Sequence, residues 1–146
     1  MGKKIFFGIL ALVVTILAVV LLINAFFPVD ESDVYFPVQK ESGMPQMELA
    51  GRGWLALENG ALRIKPFYFF GESYLPIWPY GYSFDVKGRE VRVINQEGKV
   101  VARTGHWIKY GGGPAANMDI VKNYLGEMIP EDEYPGPYFI VGGVDN

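Results

Sequence analysis

The sequence predicts a mainly β fold, a small curved barrel that follows one long apolar helix. Three observations predict it. Nineteen consecutive uncharged residues, Ile5 to Ile23, stand close to the N-terminus. Beyond residue 51, short apolar–polar alternations are separated by Asn-Gly, Lys-Gly and Glu-Gly turn signals. Only the stretch from Met118 to Met128 then carries helical spacing. Half of the 146 residues are apolar, so the chain has the means to build a core, and its length suits one domain with a tail or anchor.

The first element is the apolar run. As a helix it rises ~28 Å at ~1.5 Å per residue, close to a hydrocarbon core of ~30 Å. Lys3 and Lys4 precede it, and Asp30, Glu31 and Asp33 follow it. Basic flanks stay cytoplasmic, so residues 1–27 are expected to be a single-pass transmembrane signal anchor of the cell membrane. The N-terminus is then cytoplasmic and the C-terminal domain extracytoplasmic. A cleaved signal peptide is the rival reading. Its apolar core would be ~7–15 residues, and Ile23 is too large for the −3 position of a site after Ala25. The chain has no cysteine, which excludes disulfides, thiol catalysis and thiolate metal sites.

Residues 28–51 hold three prolines, five acids and one lysine, with no sustained period, and read as an acidic linker. Residues 52–146 read as an extracytoplasmic β-domain. "GWLALENGALRIK" predicts a hairpin about Asn59-Gly60, because both turn residues need positive φ. "YSFDVKGREVRVINQEGKVVARTG" predicts a three-strand meander, with turns at Lys87-Gly88 and Asn95–Gly98. "HWIKYGGG" predicts another short strand with a glycine stop. Asn117 then caps a helix whose apolar stripe is Met118, Val121, Leu125 and Met128, ended by Pro130. "YFIVGG" is the last strand. Five to seven short strands curved by glycine, with one helix, predict an OB-like β-barrel, with a β-sandwich as the alternative.

The stretches "LPIWPYGYS", "VVARTGHWIKYGGG" and "IPEDEYPGPYFIVGG" resemble a pattern in small exported or membrane-anchored prokaryotic proteins of uncharacterised function. That pattern has an apolar-Trp-Pro-x-Gly stretch, then Ala-Arg-x-Gly before a Gly-rich turn, then a Pro-Gly-Pro-Tyr close. The likeness covers roughly residues 53–143. The pattern often has an acid where His106 stands and a Cys near the Pro-Gly-Pro segment, which this chain lacks. The resemblance implies a compact β-domain and export, and no particular activity.

Charge is segregated. The linker 28–51 carries one base and five acids; residues 52–113 carry nine bases and five acids; residues 114–146 carry one base and six acids. Either the acidic arms lie against the basic β-region, in surface pairs worth ~0–1 kcal/mol each, or Arg89, Arg92, Lys99, Arg103 and Lys109 form a patch for an anionic partner. Nucleic acid is not expected, since the outer part is acidic overall and faces away from the cytoplasm.

Residues 67–84 concentrate nine aromatic side chains. Some must be core, because each ring brings ~150–250 Å² of apolar area. Trp78, Tyr82 and Phe84 suit a corner shaped by Pro76, Pro79 and Gly81. "FYFF" (67–70) cannot all point inward on a strand, so 67–74 is the more exposed part. The candidate binding residues are Tyr68, Phe70, Tyr74, Trp78, Tyr80, Arg89, Arg92 and Arg103.

Chemistry finds little support. His106 is the only histidine, so no His-rich metal site is available. "GYSFD" is not a Gly-x-Ser-x-Gly elbow, and "KYGGGP" lacks the Gly-Lys-Ser/Thr of a phosphate loop. "PEDE" lacks the alternating acids of a calcium loop. No cofactor, metal or catalytic group is expected. The expected function is that of an envelope binding or interaction module whose partner is a protein, a glycan or an anionic lipid. An extracytoplasmic cell-wall hydrolase and a structural subunit of a membrane complex are the alternatives.

Overall fold

The computed structural model describes residues 2–26, 28–44, 49–66 and 71–145, with side chains of 8–22 described in the first helix. Two α-helices and eight strands lie among them. Helix α1 spans Gly2–Phe26. The strands are β1 (Leu49–Glu58), β2 (Ala61–Pro66), β3 (Leu75–Ile77), β4 (Ser83–Lys87), β5 (Glu90–Ile94), β6 (Val100–Arg103), β7 (His106–Pro114) and β8 (Tyr138–Asp145), with α2 (Met118–Leu125) between the last two.

The strands form a nearly closed, barrel-like sheet in the order β2-β1-β7-β8-β3. Its neighbours are antiparallel except β3 and β8, which are parallel. The seam is drawn together at Ile64 of β2 and Tyr74, just before β3, which exchange two backbone hydrogen bonds of 2.9 Å. The β1–β2 turn has Asn59 at φ 50° and Gly60 at φ 76°, the left-handed pair that its sequence demands. The meander β4-β5-β6 forms its own sheet and sends Val91, Val93 and Ala102 into the same core as Leu55, Ile64, Ile108 and Val141.

Strand β8 divides two cores by simple alternation. Phe139 and Val141 face the barrel interior, while Tyr138 and Ile140 face a second cluster with Leu75, Ile77, Val121 and Leu125. Both faces of the strand are buried, which is why "YFIV" reads as a continuous apolar run. Helix α2 closes that second cluster. Asn117 caps it, accepting from the Ile120 backbone N–H at 3.0 Å. The helix is shorter than its stripe suggests. Gly126, left-handed at φ 83°, ends it after Leu125, so Met128 is exposed and Ile129 takes the buried place.

Three further expectations need correction. The glycine run is no stop, because β7 continues through Gly111, Gly112 and Gly113 to Pro114. The β7–β8 register shifts between Gly111 and Gly112, and a Cβ on Gly112, at φ 143°, would run into the Ile140 carbonyl. Nor is 28–51 a plain linker throughout. Val34, Pro37 and Gln39 are buried, and the backbone of this segment bonds to Gly60 and to Trp78. Gln39 also donates from Nε2 to the Val141 carbonyl at 2.7 Å. This strap lies over both sides of the seam, where unpaired edges would otherwise meet water. Finally, Trp78 is fully buried, stacked on Phe36 with ring centroids 5.4 Å apart, which fits its reading as core and corrects its reading as a binding residue.

Helix α1 presents Ile9, Leu12, Leu17 and Leu21 to its surroundings, each more than half exposed. Among the described residues no helix is both long and apolar enough to cross a membrane.

Two measurements check this packing. Gly112→Ala should destabilise the fold by about 3 kcal/mol, read as a lower denaturant midpoint. Tyr35 lies on Tyr134 with ring centroids 4.0 Å apart. Burial, then Glu127 and the neighbouring Tyr134 and Tyr138, push its hydroxyl from about 10 up to about 12. A raised value favours the neutral phenol in the folded state. That contribution is complete below the ordinary tyrosine value and is lost as pH rises towards about 12. Stability against pH should therefore fall across this alkaline window, and Tyr35→Phe should make the fall shallower.

Candidate functional site

The outer face of the barrel follows from the alternation that builds its core. Leu55 and Ile108 point inward, so their neighbours Trp54 and Trp107 point out. These two are direct partners across β1 and β7, and Trp54 is also the partner of Lys65 across β1 and β2. One row therefore runs Lys65–Trp54–Trp107 over three strands. The indoles meet edge to face, 5.7 Å apart at 77°, yet remain 38% and 44% exposed.

A cleft of about 640 Å³ opens beside them. Its polar wall is a small network. Lys65 Nζ lies 2.5 Å from Glu58 Oε1, and Ser73 Oγ donates to Glu58 Oε2 at 3.1 Å. Burial pushes the Glu58 carboxyl up, but Lys65, Ser73 and the nearby charge of Arg63 together outweigh that and hold it below its usual range. Glu58 is thus a fixed anion and acceptor, and Lys65 a fixed donor. Pro66 and Gly71 are the other lining residues among those described.

Arg63 supports this wall from behind. It is only 8% exposed and donates to the Ser73 carbonyl at 3.2 Å and to the Pro135 carbonyl. It ties the segment bearing Ser73 to the segment before β8. Removing this buried cation would strand both carbonyl acceptors.

The residues that the sequence nominates lie elsewhere. Tyr68 and Phe70 lie outside the described residues. Tyr74 is half-buried at the barrel seam, its ring 5.7 Å from that of Phe139. Trp78 belongs to the core and offers no surface to a ligand, which corrects its place among the binding residues. Tyr80 is exposed at the Pro79–Gly81 corner, and its carbonyl accepts from Gln96. Arg89 is exposed in the β4–β5 turn. Arg92 is held bidentately by Asp85 across the β4–β5 pair. Arg103 lies 3.4 Å from Glu90, and Lys99 lies 2.7 Å from Glu97. These ion pairs form inside the meander, so acids within the β-region, and not the acidic arms, answer these three cations. The nominated arginines do not gather with the tryptophans.

Trp54, Trp107, Glu58, Lys65 and Ser73 are the residues that the aromatic count missed. The signal was present: a tryptophan beside inward Leu55, and another beside inward Ile108, must face out. His106 is exposed at the start of β7, where it is the strand partner of Leu55, and its side chain makes no hydrogen bond or ion pair among the described residues. Among those residues no cluster of acids and histidine could hold a metal ion. No protein-family model, no curated protein and no solved structure matches the chain, so function is argued from the cleft's own geometry.

Arg63→Met keeps much of the volume and removes both bonds. It should cost about 2–3 kcal/mol in a denaturant titration and speed hydrogen exchange at Ser73 and Tyr74.

Proposed function

We propose that this chain is a single-pass, membrane-anchored envelope protein whose OB-like barrel binds a glycan through the Trp54–Trp107 cleft. One observation carries the reading: two partly exposed tryptophans stand directly opposite each other, beside a carboxylate, an ammonium and a hydroxyl held in one network. Sugar rings have apolar C–H faces, which settle on indoles, and hydroxyl edges, which need donors and acceptors. Glu58 accepts, Lys65 donates and Ser73 does both. A concave, largely apolar site with a few fixed polar groups is the usual form of a small-ligand site.

The barrel supports the same reading. Five strands in one curled sheet, with a single parallel pair and a seam closed by two hydrogen bonds, suit the partly open barrel of the OB class. That class places oligosaccharides and oligonucleotides on its outer surface. The anchor is supported by the uncharged run Ile5–Ile23, by the helical state of Gly2–Phe26 and by the exposed apolar side chains of 8–22. Lys3 and Lys4 on one side and the acids on the other favour an extracytoplasmic barrel. Binding is preferred to glycoside hydrolysis because hydrolysis needs two cooperating carboxyls. Among the described lining residues, Glu58 is the sole carboxylate.

The test is calorimetry on the full-length chain in detergent, against the oligosaccharides it retains on a glycan array. Trp54→Ala and Trp107→Ala should each weaken binding at least about tenfold, whereas Tyr80→Ala should leave it within about twofold. Retention of no glycan, or full affinity in both tryptophan variants, would falsify the proposal.

A further inference from the structure

The tryptophan row has a charged neighbour. Arg52 lies two residues before Trp54 on β1, and Lys109 two residues after Trp107 on β7. Side chains two apart on a strand share a face, so both cations lie on the outer side, ~6.7 Å along from the indoles. They are also direct partners across the two strands. The outer face thus carries an indole pair followed by a cation pair. Both cations are exposed, and neither forms an ion pair among the described residues. This separates them from Arg92, Arg103 and Lys99, each of which has a carboxylate beside it.

The ground around them is open. A hollow of about 600 Å³ borders Arg52, Lys109, Tyr110 and Asp145, and Ala50 and Gly111 give it a low floor. Asp145 is the strand partner of Lys109 and is the one acid of this hollow among the described residues. Among the described residues two bases thus face one acid.

We infer that the ligand is an acidic glycan. One ring rests on Trp54 and Trp107, and a carboxylate or phosphate on the next unit meets Arg52 and Lys109. This rests on the glycan reading of the tryptophan cleft and adds the charge of the ligand to it. Guanidinium forks match carboxylate and phosphate oxygens, and an exposed cation pair adds attraction that salt screens.

Calorimetry on the full-length chain in detergent tests it with four probes: an oligogalacturonate, its methyl ester, a phosphorylated oligosaccharide and single-stranded DNA of equal charge. The ester keeps ring and linkage and loses the charge. The acid should bind at least about tenfold more tightly than the ester, and added salt should shrink that ratio. Arg52→Ala with Lys109→Ala should reduce the ratio to about one. Arg52→Glu with Lys109→Glu should invert it, while the melting transition shows that both variants fold. Tighter binding of the phosphorylated oligosaccharide would assign the anion as phosphate and support the inference. Equal binding of acid and ester overturns it and leaves the glycan reading standing. Tighter binding of DNA than of either acidic glycan also overturns it. If none of the three glycans binds, the reading beneath it fails as well.

Discussion

Everything in the barrel turns on β1 having two partners at once. Residues Gly53, Trp54 and Leu55 pair with β2 on one side and with β7 on the other. A strand shared in this way must bend as the sheet curls, and its neighbours approach closely. Gly53 marks the approach: a Cβ there would press on the Ile64 side chain and the Lys65 carbonyl. The same three residues place the site. Leu55 is fixed inward by the core, so Trp54 is fixed outward between Lys65 and Trp107. Closure of the barrel and presentation of the indoles are therefore one constraint. A slip of one residue in either register would bury the tryptophan and expose the leucine.

The rest of the molecule holds this strand in place from a distance. Strand β8 feeds one core with Phe139 and Val141 and another with Tyr138 and Ile140, so barrel and α2 share a wall. The strap from Val34 to Gln39 crosses the seam, and Arg63 links the Ser73 segment to Pro135. Each device uses backbone carbonyls as its anchor. In a chain without disulfides, such long-range bonds replace covalent staples as the means of fixing loops beside a small core. The polar wall of the cleft inherits its rigidity from them, because Ser73 sits between Arg63 and Glu58.

Local signals were legible where local chemistry decides. The Asn59-Gly60 turn, the Asn95–Gly98 turn and the Asn117 cap all form as their side chains and φ angles require. Non-local demands were not legible. Three glycines in a row read as a stop, but they admit a shift in register and the close passage of Ile140. Proline and acids made 28–51 read as linker, yet Val34, Pro37 and Gln39 are needed over the seam. The aromatic cluster drew attention to 67–84 by density. Among the described residues of that stretch density does not separate core from surface: Trp78 is buried, Tyr82 and Phe84 pack against the core, and Tyr80 is exposed. Alternation was the better guide to the surface, since the neighbour of an inward strand residue must face out.

Charge follows the same lesson. Counted by segment, the β-region is basic and invites a single patch. Pairing depends on register, which a count does not contain. Asp85 faces Arg92 across β4 and β5, so the carboxyl is held low by that hydrogen bond and the guanidinium is occupied. Arg52 faces Lys109 instead, and like charges opposite each other oppose folding unless something else is gained. The sheet thus places two cations face to face beside two partly exposed indoles on one outer face. The indoles gain from meeting edge to face, and Asp145 is the other strand partner of Lys109, which offsets part of that cost. An anion that brings its own apolar ring meets both at once, by neutralising the pair and covering the indoles.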